Sequence, residues 1–203
     1  MERSSVLILV LSVFILSCKM ENLHKTYYDS GALMEEYTIT EDSLITGLYK
    51  RFHPEGGIAE ECTYQYGQRN GWRKLYDTSG RLEAVYPYSD DKINGEYQAY
   101  YPSGKLKIKA QYLNNEIVGE FLHYFENGNL KERVTFKDNM ENGPFEEYHE
   151  NGNLMWRGSY LNGDNEFGLL EEFNEEGILI KKLMCDSMRI CKTIWTLEGG
   201  DVK

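Results

Sequence analysis

Tyr100-Tyr101-Pro102-Ser103-Gly104-Lys105-Leu106, Tyr124-Phe125-Glu126-Asn127-Gly128-Asn129-Leu130 and Tyr148-His149-Glu150-Asn151-Gly152-Asn153-Leu154 are one phrase written three times, at intervals of 24 residues. A fixed period of that length marks a repeat array, in which each unit buries its apolar face against the next copy. Outward from this stretch the turn glycine recurs as Gly31, Gly56, Gly80, Gly104, Gly128, Gly152 and Gly177. A second series, Gly47, Gly71, Gly95, Gly119, Gly143 and Gly168, keeps the same register.

Each aromatic-x-x-x-Gly segment reads as a hairpin loop, with glycine supplying the positive φ of a tight turn. Beyond it apolar and polar residues alternate, Leu106, Ile108, Ala110 and Tyr112 against Lys107, Lys109 and Gln111. That period of two predicts a half-buried strand. Glu35, Glu60 and Glu132 interrupt the alternation four residues after the glycine, which puts this position near an edge of the buried zone. A second break, at Gln68-Arg69-Asn70, Asn114-Asn115-Glu116, Asp138-Asn139-Met140 and Asn162-Gly163-Asp164, leads through the second glycine into a short strand. Connections so short join only antiparallel neighbours. The expected fold is all-β, an elongated antiparallel β-meander of tandem hairpin repeats over residues 27–180, closed by a capping hairpin and tail over 181–203. Tyr76, Tyr100, Tyr124 and Tyr148 are expected to form one row along it, and Tyr97, Phe121 and Phe145 another.

Residues 1–17 read as an export signal. The apolar run from Val6 to Leu16 has 11 residues, whereas a spanning helix needs about 20. It ends in Ile15-Leu16-Ser17-Cys18, which resembles a bacterial lipobox and makes Cys18 the expected lipidation site. Residues 18–26 then read as a polar tether, and the chain as exported and held at a membrane by lipid. In an oxidising compartment Cys185 and Cys191 are a possible disulfide, leaving Cys62 as a buried free thiol.

Lys and Arg number 22 against 33 Asp and Glu, a net charge of −11 that disfavours nucleic acid as a partner. His24, His53, His123 and His149 share no metal-ligand spacing, and Glu146-Glu147 and Glu171-Glu172 recur with the repeat as solvated strand faces do. The acidic loops Ser89-Asp90-Asp91 and Asp164-Asn165-Glu166 offer oxygen ligands without matching a calcium-binding loop. No catalytic set, metal or cofactor is expected. Tyr101 and Phe125, the second aromatics of their turns, are the candidate binding residues.

Gly95-Glu96-Tyr97-x-x-Tyr100-Tyr101-x-x-Gly104-x-Leu106 and Gly119-Glu120-Phe121-x-x-Tyr124-Phe125-x-x-Gly128-x-Leu130 resemble MORN repeats, in particular the bacterial variant with Asn-Gly in the turn. The resemblance runs from Tyr27 to Gly177, with departures where Ile58 replaces Leu and where Trp72-Arg73 follows Gly71. It implies a β-surface for binding or scaffolding, without catalysis. Many bacterial members are named YwqK-like antitoxins, so another protein, a toxin in the most specific form, is the partner implied. The alternative is an envelope protein that binds carbohydrate, or a structural scaffold.

Overall fold

The computed structural model describes residues 22–202, so the signal segment and Cys18 lie outside the described residues. The strands are β1 Asn22–Tyr27, β2 Leu33–Ile39, β3 Ile45–Phe52, β4 Ile58–Gln65, β5 Gln68–Tyr76, β6 Leu82–Ser89, β7 Lys92–Ile93, β8 Gly95–Tyr100 and β9 Leu106–Leu113. The second half holds β10 Glu116–Tyr124, β11 Leu130–Lys137, β12 Met140–Tyr148, β13 Leu154–Tyr160, β14 Gly168–Phe173, β15 Leu179–Cys185, β16 Cys191–Thr196 and β17 Gly200–Asp201. Each pairs antiparallel with its sequence neighbours, and β7 and β8 lie together on β6 as one strand broken at Asn94. The result is a single open sheet, the meander expected. No helix among the described residues is long and apolar enough to cross a membrane.

The polar segment read as a tether is a strand over residues 22–27, paired with β2 from Asn22↔Ile39 to Thr26↔Glu35. It is an edge strand, and its exposed residues leave no alternation to read.

Two loop types alternate along the array. At the turn glycines a three-residue loop closes on two bonds: Gly104 N–H donates to Tyr101 O at 2.8 Å and Tyr101 N–H to Lys105 O at 2.8 Å. Gly104 sits at φ 81°, where a side chain is disfavoured. Four of the other loops have two residues, Tyr66-Gly67, Asp90-Asp91, Asn114-Asn115 and Asp138-Asn139, all with positive φ, while those over residues 40–44 and 161–167 are longer. The two-residue turns twist in the sense that strands do. The break placed at Gln68-Arg69-Asn70 therefore lies two residues earlier, and Gln68, Arg69 and Asn70 belong to β5. Polar strand ends beside a Tyr-Gly turn hide the boundary.

The second glycine series falls inside strands. Gly119 and Glu120 are extra residues between the pairs Val118↔Gln111 and Phe121↔Ala110, yet they pair without interruption with Phe136 and Thr135 on the other side. This bulge re-aims each strand where its hairpin tip begins.

One sheet face carries the packed rows. Across it runs Tyr97↔Ala110↔Phe121↔Val134↔Phe145↔Gly158, large and small side chains in turn. Val134, Phe145, Leu170 and Cys185 are the buried cluster at its C-terminal end. The expected ladder of Tyr97, Phe121 and Phe145 is thus interrupted by small residues. Their rings instead pack on Tyr112 edge-on, on Phe136 tilted and on Tyr160 stacked, at centroid distances of 5.9, 5.6 and 4.3 Å. Tyr76, Tyr100 and Tyr148 belong to the opposite face, where their hydroxyls donate to Glu61, Gln98 and Glu146.

The next row is Arg51↔Glu60↔Leu75↔Ala84↔Ala99↔Ile108↔His123↔Glu132↔Glu147↔Trp156. Glu60 is only 8% exposed, so the fourth position is not an edge. Its carboxylate accepts from Arg73 Nε at 2.7 Å and from Arg51 at 3.2 Å. Burial alone would raise this carboxyl's pKa, but the two guanidinium groups together hold it below the usual carboxylate range. Glu60→Gln is expected to cost about 2 kcal/mol at neutral pH, less than the 3–5 of a fully dry pair because both arginines keep water contact. Because the folded pKa is depressed, this contribution is present above the unfolded pKa and fades as pH falls through the folded one. Urea melts of wild type and variant should therefore converge in acid; a gap unchanged from neutral pH to strong acid would show that ion pairing is not the cause.

Candidate binding surface

Successive repeats are joined by side chains at both ends of their strands. At the two-residue tips, Asn115 N–H donates to Ile93 O at 2.9 Å while its Oδ1 accepts from Ile93 N–H at 2.7 Å. Asp91 with Arg69 and Asn139 with Ile117 repeat this reciprocal bond; Gly67 and Gly163 make only its backbone half. At the three-residue loops the residue after the aromatic reaches the next loop. Tyr28 OH donates to Phe52 O at 2.7 Å and Tyr101 OH to Tyr124 O at 2.6 Å, and His53 and His149 Nε2 bond Tyr76 O and Phe173 O.

Tyr101 therefore stitches two turns together. It and Phe125 are half-buried, with the amines of Lys107 and Lys131 over their rings at 5.4 and 5.8 Å. They do not form an exposed platform. The histidines are equally absorbed: His53 and His149 are staples, His24 stacks on Tyr37, and the pKa of His123 is lowered by burial, then by Lys131 and Lys107. Cys62 is a buried free thiol, pushed up to about 11 by burial and by Glu60, which leaves it protonated and inert at neutral pH. Cys185 and Cys191 are directly opposed on β15 and β16 and joined as a disulfide.

Glu132 and Glu147 stand opposite each other on the packed face. Burial, followed by the neighbouring carboxylates, raises both above the usual range. A raised carboxyl opposes folding in its charged form, so this pair lowers stability as pH climbs through the folded pKa. Glu147→Gln should accordingly stabilise the chain at pH 7 by up to about 1 kcal/mol and flatten the decline; thermal melts at pH 4 and pH 7 test this, and a loss at pH 7 would refute it.

The opposite face carries a charge ladder. Lys25↔Glu36↔Lys50↔Glu61↔Lys74 runs at one end and Arg133↔Glu146↔Arg157↔Glu171↔Lys182 at the other. Exposed pairs add little energy each, but an altered strand alignment would set like charges together, so the ladder helps fix register.

Beside this ladder on the same face lies the row that follows the bulge glycines. Its cross-strand pairs are Leu48↔Thr63, Trp72↔Pro87, Glu96↔Gln111, Glu120↔Thr135 and Pro144↔Ser159. Glu96 and Glu120 are answered by Lys109 at 2.7 Å and Arg133 at 3.7 Å. Leu48 and Trp72 have no such explanation: they are 49% and 52% exposed, and the tips beside them carry Leu44 and Tyr66, also exposed. Residues 44–72 thus present apolar side chains where the next two repeats present paired charge; the last two carry Pro144 and an exposed Leu169 there.

Four segments, 45–66, 93–114, 117–138 and 141–162, match the family model described as the MORN repeat variant. These four segments are similar to MORN repeats. Each matched segment spans one three-residue turn loop with the two strands that flank it. Residues 67–92 lie between matched segments yet build the same hairpin, β5 to β6. There Arg73 takes the place of the ring at Tyr49, Tyr97, Phe121 and Phe145, its guanidinium 5.7 Å from the Tyr86 ring. No curated protein matches the chain. Among solved structures, the crystal structure of TcdB2-TccC3-TEV aligns over 86% of this chain at 12% identity with a TM-score of 0.25. The Photorhabdus luminescens Tc holotoxin pore with mutated TccC3 aligns over 86% at 11% identity with a TM-score of 0.24. This chain covers 12% and 11% of those chains. At such scores the likeness carries no argument.

Proposed function

We propose that this repeat protein is a non-enzymatic binding protein, held at a membrane by lipid on Cys18, whose N-terminal hairpins grip another protein. The observation that carries the reading is the exposed pair Leu48 and Trp72, at positions where the central repeats place Glu96 and Glu120. Exposed apolar side chains on the face that carries the charge ladder favour a protein partner, and tryptophan is prominent among residues that dominate binding energy. In its most specific form the partner is a toxin, and the protein neutralises it by occupying its surface outside the cytoplasm. The family resemblance and the lipobox-like segment ending at Cys18 support that form.

Co-purification from native membranes, in wild type and in a Leu48→Ala, Trp72→Ala double variant, tests the reading. The wild type should retain one specific protein and the variant should lose it, with affinity reduced at least tenfold. Equal recovery by both would remove the pair from the function. Recovery of glycan in place of protein would install the carbohydrate reading. Fatty-acid label persisting in Cys18→Ala would show that the anchor lies elsewhere.

A further inference from the structure

We propose that Cys185, Cys191 and Glu166, once the disulfide is reduced, form a site for a thiophilic divalent cation of the zinc class. The ligand atoms of these three residues lie within 4.8 Å of one another, and Glu166 Oε2 is 3.4 Å from Cys191 Sγ. Tetrahedral zinc, with bonds of about 2.3 Å to sulfur and about 2.1 Å to oxygen, sets sulfur and oxygen about 3.6 Å apart and two sulfurs about 3.8 Å apart. The first spacing is nearly met already. The second requires the thiols to part by side-chain rotation after the bond between them breaks, since the two residues are opposed across one hairpin.

Glu166 reaches this place through the isolated bridge between Tyr160 and Glu166, which folds the long loop after β13 toward the cap. It is 25 residues from Cys191 in sequence, so no zinc-like spacing is written in the chain. A second feature points to the same corner. A hollow of about 210 Å³ is lined by Leu161, Asn165, Glu166, Phe167, Asp186 and Ser187. Asn165 Oδ1 is the one buried side-chain polar atom among the described residues that lacks a hydrogen bond. An oxygen acceptor without a donor, lining the same hollow as Glu166 and as Asp186, the neighbour of Cys185 in the chain, suits a cation or its bound water.

The redox step balances with a dithiol reductant. Its two thiols become a disulfide, the bond between Cys185 and Cys191 breaks, and two electrons and two protons give two cysteine thiols. Binding the cation then releases both protons to solvent and leaves two thiolate ligands, one carboxylate and an open fourth position. The bond and the cation exclude each other, so the cap is fastened covalently under oxidising conditions and by metal under reducing ones.

The full chain, reduced with a dithiol that is then removed anaerobically, should be titrated with cobalt(II) and back-titrated with zinc. One equivalent should bind with a thiolate-to-cobalt charge-transfer band that zinc abolishes. Cys62→Ser should leave the band unchanged and Cys185→Ser, Cys191→Ser should lose it. Glu166→Gln, which keeps both thiols and can be checked for intact strand content by circular dichroism, should weaken binding at least tenfold. No band in the reduced chain, a band retained without the two cysteines, or unchanged affinity in Glu166→Gln would each overturn the site.

Discussion

Replacing Gly158 by valine is expected to lower stability by about 3 kcal/mol, at the upper end for an overpacked core. A side chain built at Gly158 would place its first carbon 2.8 Å from Phe145 Cε1 and 3.0 Å from Leu170 Cγ. Neither neighbour can retreat easily, because both are buried and Phe145 is stacked at 4.3 Å on Tyr160. Backbone strain plays no part, since the obstacle is the neighbouring side chains alone. One repeat earlier the equivalent place is filled by Val134, which faces Phe145 from the other side and is 1% exposed. The same side chain is accepted on one flank of the ring and refused on the other. Urea unfolding of Gly158→Val, Phe145→Leu and the double variant gives the check: trimming the ring should recover part of the loss, so the double should cost less than the sum. Strict additivity, or a loss within 0.5 kcal/mol, would show that the contact is not what limits this position.

The second large effect is expected at the cap of the oxidised protein. Cys185 and Cys191 are six positions apart and enclose a loop of seven residues counting both ends, for which chain entropy alone gives about 2.3 kcal/mol. Cys185 is also 3% exposed within the main buried cluster, so truncation adds a small cavity term. The Cys185→Ala, Cys191→Ala chain should lose about 3 kcal/mol in all. Because β16 meets the rest of the sheet only through β15 and the short β17, the loss should remain local. Amide exchange at Thr193, Ile194 and Trp195 should accelerate well before that at Val134 and Phe145. Equal acceleration at both would mean that the cap and the array unfold as one unit.

What the sequence made legible was what repeats. The two glycine series, the alternation and the aromatic turns are local signals, each restated several times, and they specify hairpins whose short connections allow only one topology. What escaped was singular or lay across strands. The segment from Asn22 to Tyr27 pairs as an edge strand with hardly a buried side chain, so nothing in it alternates. Glu60 looked misplaced because its partners Arg51 and Arg73 belong to the strands on either side. Tyr101 looked available because its bond is to a carbonyl 23 residues onward. The exposed apolar pair could have been found by asking where copies differ: Leu48 and Trp72 stand at a position that is glutamate in the two repeats that follow.

The reciprocal tip bonds and the turn staples have one more consequence. Both link a residue to the backbone of the neighbouring copy, at separations of 22 to 24 residues, and each central copy offers the same sockets on both sides. Units built this way are interchangeable. Excising one whole period from the middle would bring matching halves together, and inserting one would find them ready. The molecule is in this sense a ruler graduated in single hairpins, on which the distance between the N-terminal apolar pair and the C-terminal cap can be lengthened or shortened without redesign of either end.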